Sequence, residues 1–184
     1  MIITITGKPC SGKGTVGKLF SEKYNFEYMC TGDIFRHFTK EFGYDNILDF
    51  QTNNDKINEI DHMVDNKTTE IGKTRLSENI IFDSRLAWYF IPKSFKVFID
   101  VDWQTAGERL LSANRSNEKV ETIDEAIKTL KDRWQAENDR YIELYKTSNL
   151  DLSNYDLVIS SNNKTPEEIV EEIYNFYIKF TSKK

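Results

Sequence analysis

The chain has 184 residues, 39% of them hydrophobic and 30% charged, which suits one soluble domain with a sizeable core. No apolar run approaches the roughly 20 residues needed to span a bilayer, and a formal net charge of −5 argues against broad binding to nucleic acid or anionic membrane. Cys10, Cys30, His37 and His62 make no zinc-site spacing, and with Met1 leading straight into an apolar strand a cytoplasmic protein with reduced thiols is expected.

The apolar run Ile2–Thr6 predicts a first strand, and Val16, Leu19 and Phe20 recur at helical spacing after it. Between them stands Gly7-Lys8-Pro9-Cys10-Ser11-Gly12-Lys13-Gly14-Thr15. Strand, glycine loop and helix are the context in which a GxxxxGK match binds phosphate. Gly7, Gly12 and Gly14 let backbone N–H groups approach a polyphosphate, and the helix of about Gly12 to Tyr24 aims its positive end at the anion. Lys13 is placed to reach the β- and γ-phosphates of ATP, and the Thr15 hydroxyl to ligate Mg²⁺. The general motif puts Ser or Thr directly after the lysine, whereas here Gly14 intervenes. A bare glycine turn would have no need of Lys13 and Thr15.

Phe26–Cys30 reads as a second strand, and Thr31 or Asp33 as the cap of a following helix that carries Arg36 one turn in. Arg36 is either a solvated arginine or a ligand for a second phosphate. From Phe38 to about Glu78 the chain turns polar and helical. Asn46–Phe50 suggests a short turn, and Ile57, Ile60, Met63 and Val64 give one apolar helix face. Ile80–Asp83 is a buried strand tipped by an acid, where a P-loop fold holds water or Mg²⁺ beside the phosphates; the same Asp83 could simply cap a helix. Arg85 falls just beyond the carboxyl end of that strand, where open α/β sheets bind ligands.

Phe95–Val101 is a fourth strand, with Asp100 and Asp102 read as strand-end structural residues. A helix from Thr105 to about Arg115 carries Arg109 and Arg115. After the polar break Ser116–Lys119, Thr122-Ile123-Asp124-Glu125 forms a capping box for a long helix to about Lys146. Its apolar face is Ile123, Ile127, Leu130, Trp134, Tyr141 and Tyr145. Arg133, Glu137 and Arg140 share an adjacent face, as a salt-bridge ladder or as a ligand-facing set. Tyr155–Ile159 is the fifth strand. Thr165-Pro166 starts a closing helix whose packing stripe is Ile169, Val170, Ile173, Phe176 and Tyr177.

With these segments in order, the chain resembles the cytidylate kinases, a branch of the nucleoside monophosphate kinases, and most of all their short archaeal type. The motifs that carry the likeness are ITGKPCSGKGT, CTGDIFR, IIFDSRLAWYF, LKDRWQAENDRY and LSNYDLVIS, spread over nearly the whole chain. The GKGT ending is itself similar to that family. The resemblance implies a P-loop α/β/α fold: a five-stranded parallel sheet, a helical insertion binding the nucleoside monophosphate (NMP) and a small lid. The core would comprise residues 1–36 and 78–184, the insertion about 37–77 and the lid about 112–136, in one domain.

It also implies roles. The loop Gly7–Thr15 would hold ATP, with Arg109 and Arg115 on the ATP side or in the lid. Thr31 would lie near the pyrimidine, and Arg36 and Arg85 would grip the acceptor monophosphate beside Asp83. Arg133 and Arg140 would reach into the closed site, and Glu137 takes a place where an Asp near the ribose is usual. Lys13, Arg85, Arg133 and Arg140 would be the catalytic set, with Mg²⁺ on Thr15 and, through water, Asp83. Leu86 follows Arg85 where many bacterial members carry a base-contacting Asp, and Ala136 stands at a lid position often basic there.

The expected reaction is ATP-dependent phosphorylation of CMP, dCMP or UMP by a monomer, with no nucleic acid or membrane partner. The alternatives are another small-acceptor kinase, of the adenylate or shikimate type, and a non-catalytic ATP-binding switch. Arginines beyond the loop separate a two-substrate kinase from a switch, which has no need for a second anion site.

Overall fold

In the computed structural model, which describes residues 1–43, 57–112 and 120–182, the apolar runs become five parallel strands. They are β1 (Ile2–Gly7), β2 (Glu27–Cys30), β3 (Ile80–Asp83), β4 (Phe95–Asp100) and β5 (Leu157–Ser160). The helices are α1 (Lys13–Tyr24), α2 (Thr31–Glu41), α3 (Ile57–Thr74), α4 (Ala87–Phe90), α5 (Trp103–Ser112), α6 (Ile123–Tyr145) and α7 (Pro166–Thr181). The sheet order is β2-β3-β1-β4-β5. From β1 the chain runs to the edge strand β2, returns to β3 beside β1, and then crosses to β4 and β5 on the other side, so the order switches at the sheet centre, where open α/β sheets place their ligand crevice.

Alternation along each strand sets the layers, because successive side chains point to opposite faces. Ile3, Ile5, Ile81, Val97 and Ile99 pack on α1 and α7 through Val16, Phe20, Ile169 and Ile173. Ile2, Ile80 and Phe82 face the other way, onto Ile71 of α3 and Ala87 and Ile91 around α4. Phe98 meets Trp134 and Tyr141 of α6 on the same side. Both faces are covered, so the strands read as continuous apolar runs. The exceptions on β1, Thr4 and Thr6, are fully buried but satisfied: Thr4 shares a hydrogen bond with Ser94 Oγ (3.1 Å), and Thr6 donates to the Ser84 carbonyl (2.9 Å).

The capping boxes are present as read. Thr122 with Glu125 opens α6, and Thr165 with Glu168 opens α7 behind Pro166. Several details differ from expectation. α2 has Cys30, not Thr31 or Asp33, at its cap and no side-chain cap at all; Thr31 is already helical, and Asp33 instead pairs with Arg36. α5 begins two residues early, because Asp102 takes the capping role and accepts from the Thr105 N–H at 2.7 Å. β5 starts at Leu157, Tyr155 being buried ahead of it. Phe176 is 43% exposed; the α7 stripe is wider than the surface it covers, and Lys179 lies over that ring while Tyr174 stacks on Tyr24. The short helix α4 has too few residues to show a period. The Asn46–Phe50 turn, Arg115 and the polar break Ser116–Lys119 lie outside the described residues.

Candidate active site

The loop between β1 and α1 leaves one helix end open. α6 and α7 close their first turns with Thr–Glu boxes, whereas α1 has no side-chain cap and no acid in its first turn. Its cap residue is Gly12 at φ 87, a left-handed conformation that suits glycine. Cys10 adopts φ 59 in the same loop, a sparsely populated region for a residue with a side chain. The uncapped N–H groups and positive dipole end of α1 therefore face the cleft at the sheet centre, a ready anion site.

That cleft, of about 580 Å³, is lined by Pro9, Cys10 and Gly12 to Thr15 of the loop, by Thr31 and Arg36 of α2, and by Asp83, Arg85 and Arg133 opposite. Burial, and after it the Arg85 guanidinium, pushes the Lys13 ammonium down to about 8; Asp83 and Glu137 act in the other direction. A cation held in this state is short of negative charge, which a polyphosphate would supply.

Loop residues that do not line the cleft brace it. Lys8 pairs with Asp100 (2.7 Å), donates to the Val101 carbonyl (3.1 Å) and lies over the Trp103 ring. Arg109 donates to the Cys10 carbonyl (3.1 Å) and to Ser161 Oγ (3.0 Å) and carbonyl (2.9 Å). It thereby ties the strained loop to the end of β5. Ser11 is buried, its hydroxyl without a hydrogen-bond partner among the described residues. The Gly7 carbonyl accepts from Arg85 Nη1 at 2.7 Å, so the glycine loop and the β3 tip are joined directly.

A second cavity of about 340 Å³ opens from the first and shares Thr31, Gly32, Ser84, Arg85 and Arg133 with it. Its remaining wall comes from Phe35, Leu86, α3 and the inner face of α6. Here Glu137 holds two arginines. Its Oε2 is 3.0 Å from Arg85 Nε and its Oε1 accepts from Arg133 Nε at 3.2 Å, while Trp134 lies under the Arg85 guanidinium at 5.2 Å. Arg140 turns away from Glu137 to pair with Asp61 of α3 at 2.9 Å. Half of the intrahelical ladder thus exists; the other half became contacts from α6 to β3 and α3. Together the two cavities gather Lys13, Arg36, Arg85, Arg133 and Arg140 along one cleft.

Other participants had no local sequence signal. The Tyr28 hydroxyl donates to Asp83 Oδ2 at 3.1 Å, fixing the carboxylate beside Gly14. Ser84 Oγ accepts the N–H groups of Leu86 and Ala87 and so caps α4. Asp61 and Asp65 reach the inner cavity from α3, where their i,i+4 spacing beside Ile60 and Val64 was the one available hint.

Thr15 and Asp83 offer hard oxygen donors on the wall of the phosphate cleft, a set that fits Mg²⁺. Among the described residues no group of three or more metal-ligating side chains exists. No helix among the described residues is long and apolar enough to cross a membrane.

Known proteins resemble the chain over most of its length. The cytidylate kinase from Methanococcus aeolicus is 37% identical over 163 residues, covering 88% of this chain and 89% of that one. The cytidylate kinase from Methanocaldococcus jannaschii is 35% identical over 176 residues, covering 95% and 94%. Among solved structures, shikimate kinase from Bacteroides thetaiotaomicron superposes with a TM-score of 0.67 over 96% of this chain and 98% of that one. At 16% identity that likeness carries the fold alone. The cleft is that of a P-loop phosphotransferase of the nucleoside monophosphate kinase type, and with residues 2–163 matching its profile the chain belongs to the cytidylate kinase-like family.

Proposed function

We propose that the protein transfers the γ-phosphoryl group of ATP to a pyrimidine nucleoside monophosphate, CMP or dCMP and in principle UMP. The observation that carries this reading is the pair of joined cavities, with Arg85 and Arg133 at their junction. A polyphosphate on the loop and a monophosphate in the inner cavity would meet at those arginines. The relatives named cytidylate kinase support a pyrimidine acceptor.

In this reading the loop Gly7–Thr15 and Lys13 hold the donor phosphates. An acceptor phosphate oxygen forms the new bond to the γ-phosphorus as the bond from that phosphorus to the β,γ-bridging oxygen breaks, and ADP leaves with the electron pair. The acceptor phosphate, with a second pKa near 6, is ionised at neutral pH and needs no strong base. Catalysis rests on in-line positioning and on neutralising the charge that spreads over the transferred group. Lys13, Arg85 and Arg133 supply that neutralisation; Arg140 holds the acceptor in the inner cavity, Arg36 faces the acceptor phosphate from the outer one, and Arg109 keeps the loop in shape. Thr15 and, through water, Asp83 would hold Mg²⁺, which supplies further charge neutralisation on the donor phosphates when bound. The stretch 37–77 serves as the acceptor-binding insertion and about 112–136 as the lid, whose closure excludes water.

Coupled ADP release measured with CMP, dCMP, UMP, AMP and shikimate tests the proposal. Acceleration by the pyrimidine monophosphates is expected. Acceleration by shikimate or AMP alone, or ATP consumption indifferent to every acceptor, would overturn it.

A further inference from the structure

Two carboxylates that the transfer step does not use stand at the inner end of the cleft. Asp61 and Asp65 lie four residues apart on α3, on one face, and both line the inner cavity while neither lines the outer one. Each is held from α6: Asp61 by Arg140, Asp65 by the Tyr145 hydroxyl. Burial raises both carboxyls above the ordinary carboxylate range, against the opposing pull of Arg140 on Asp61 and of the Tyr145 hydrogen bond on Asp65. Asp61 Oδ2 is buried and has no hydrogen-bond partner among the described residues, the Arg140 contact being an ion pair off hydrogen-bond geometry. A carboxylate oxygen has a second lone pair beyond one ion pair, so Asp61 keeps acceptor capacity on the cavity wall. Phe35, Val64 and Leu86 add apolar surface to the same cavity wall. A flat ring fits such walls, and a cavity of about 340 Å³ lies within the range of small-molecule pockets.

Resting on the kinase reading above, we propose that Asp61 and Asp65 are the specificity residues for the acceptor base, and that they select a pyrimidine bearing an exocyclic amine. With the monophosphate at Arg85 and Arg133, the base extends toward α3. An amine on the ring brings two N–H donors to two acceptors, as cytosine does through N4. Uracil presents a carbonyl at the same position, so a third acceptor would face two acids with no proton between them. A site built to accept from a substrate N–H discriminates strongly against the analogue that lacks it, because its buried acceptors are then left unpaired.

The test is the ratio of kcat/KM for CMP to that for UMP in wild type, Asp61→Asn, Asp65→Asn and Tyr145→Phe, with dCMP measured alongside. An amide side chain can donate to the uracil carbonyl, so each Asn variant is expected to lower the wild-type preference for CMP tenfold or more, chiefly by improving UMP relative to CMP. Tyr145→Phe removes a tether but no carboxylate and is expected to keep the ratio near wild type. If one Asn variant fails to fold, the other decides. Equal losses for CMP and UMP in the Asn variants would make the acids mere ties between α3 and α6 and overturn the inference. So would a wild type indifferent between CMP and UMP, or a change confined to the CMP-to-dCMP ratio, which would place the acids at the ribose. If no monophosphate accelerated ADP release from wild type, the kinase reading itself would fall, and that result is visible before any variant is made.

Discussion

Lys13 offers a prediction whose size follows from its surroundings. Its ammonium is pushed down to about 8 by burial and by Arg85. A bound polyphosphate places several negative charges beside it, so in the complex its pKa should return to the ordinary lysine value of about 10.4. At pH 9 only about a tenth of the free protein then carries a charged Lys13, so binding must take up roughly 0.9 proton and the apparent affinity falls about tenfold between pH 7 and pH 9, a change of about 1.4 kcal/mol. Proton uptake near pH 7 should be about a tenth as large. The terminal phosphate of ATP does not confuse the result, since a group with a pKa near 6 is already ionised there. Calorimetric titration with a non-hydrolysable ATP analogue and Mg²⁺, in two buffers of different ionisation enthalpy, reads the uptake directly. Lys13→Met should bind more weakly and lose the uptake. The same uptake in Lys13→Met, or none in wild type at pH 9, would refute the reasoning.

The ligand-free protein should also feel Lys13 in its stability. The unfolded chain keeps that proton to about pH 10.4, whereas the native state releases it near 8, so wild type gains stability as pH rises through that window; the wild-type urea midpoint should therefore rise relative to that of Lys13→Met across it, and a constant or opposite difference would contradict this. Arg109→Ala removes the ties from α5 to Cys10 and Ser161, and should raise KM for ATP tenfold or more with little change in KM for the acceptor; a rise in the acceptor KM alone would argue otherwise. A Cβ on Gly17 would come within 2.7 Å of the Tyr28 ring, so Gly17→Ala should cost about 1–3 kcal/mol in thermal or denaturant unfolding and reduce turnover by displacing the Tyr28–Asp83 pair. Tyr28→Phe separates the two effects, because it loses the hydrogen bond and keeps the ring. Thr122→Ala removes the capping box of α6 and should lower stability by about 1 kcal/mol, with faster hydrogen exchange confined to the first turn.

The loop side of the cleft was legible in the sequence because its residues are contiguous. Gly7 to Thr15 are neighbours in the chain, and the apolar runs around them fix strand, loop and helix without any tertiary information. Arg85 was legible for a related reason: a residue just past a buried strand must appear at the carboxyl edge of the sheet. What the sequence hid were partners distant along the chain. Arg109 looks like a ligand on its helix, and only the fold brings it to Cys10 and Ser161, 99 and 52 residues away. Glu137 looks paired with both arginines of its own helix, but the crossing of α6 over the sheet gives it Arg85 and sends Arg140 to Asp61. Local spacing lists candidates for an ion pair; packing chooses among them. Phe176 failed in the opposite sense, since periodicity marks an apolar stripe and cannot say how wide a surface the stripe meets.

The brace formed by Arg109 has a consequence for the order in which the molecule comes into being. The phosphate loop leaves the ribosome well ahead of Ser161, which shares the Arg109 guanidinium with Cys10 and emerges about 150 residues later. At about 5–20 residues per second that interval is roughly 8–30 s. Throughout it the Arg109 brace on the loop lacks its anchor at Ser161, and the loop has only its ties to Arg85, Asp100 and Val101 to draw on. The loop is thus made early while one of its fasteners comes late, with the sheet edge farthest from it in sequence.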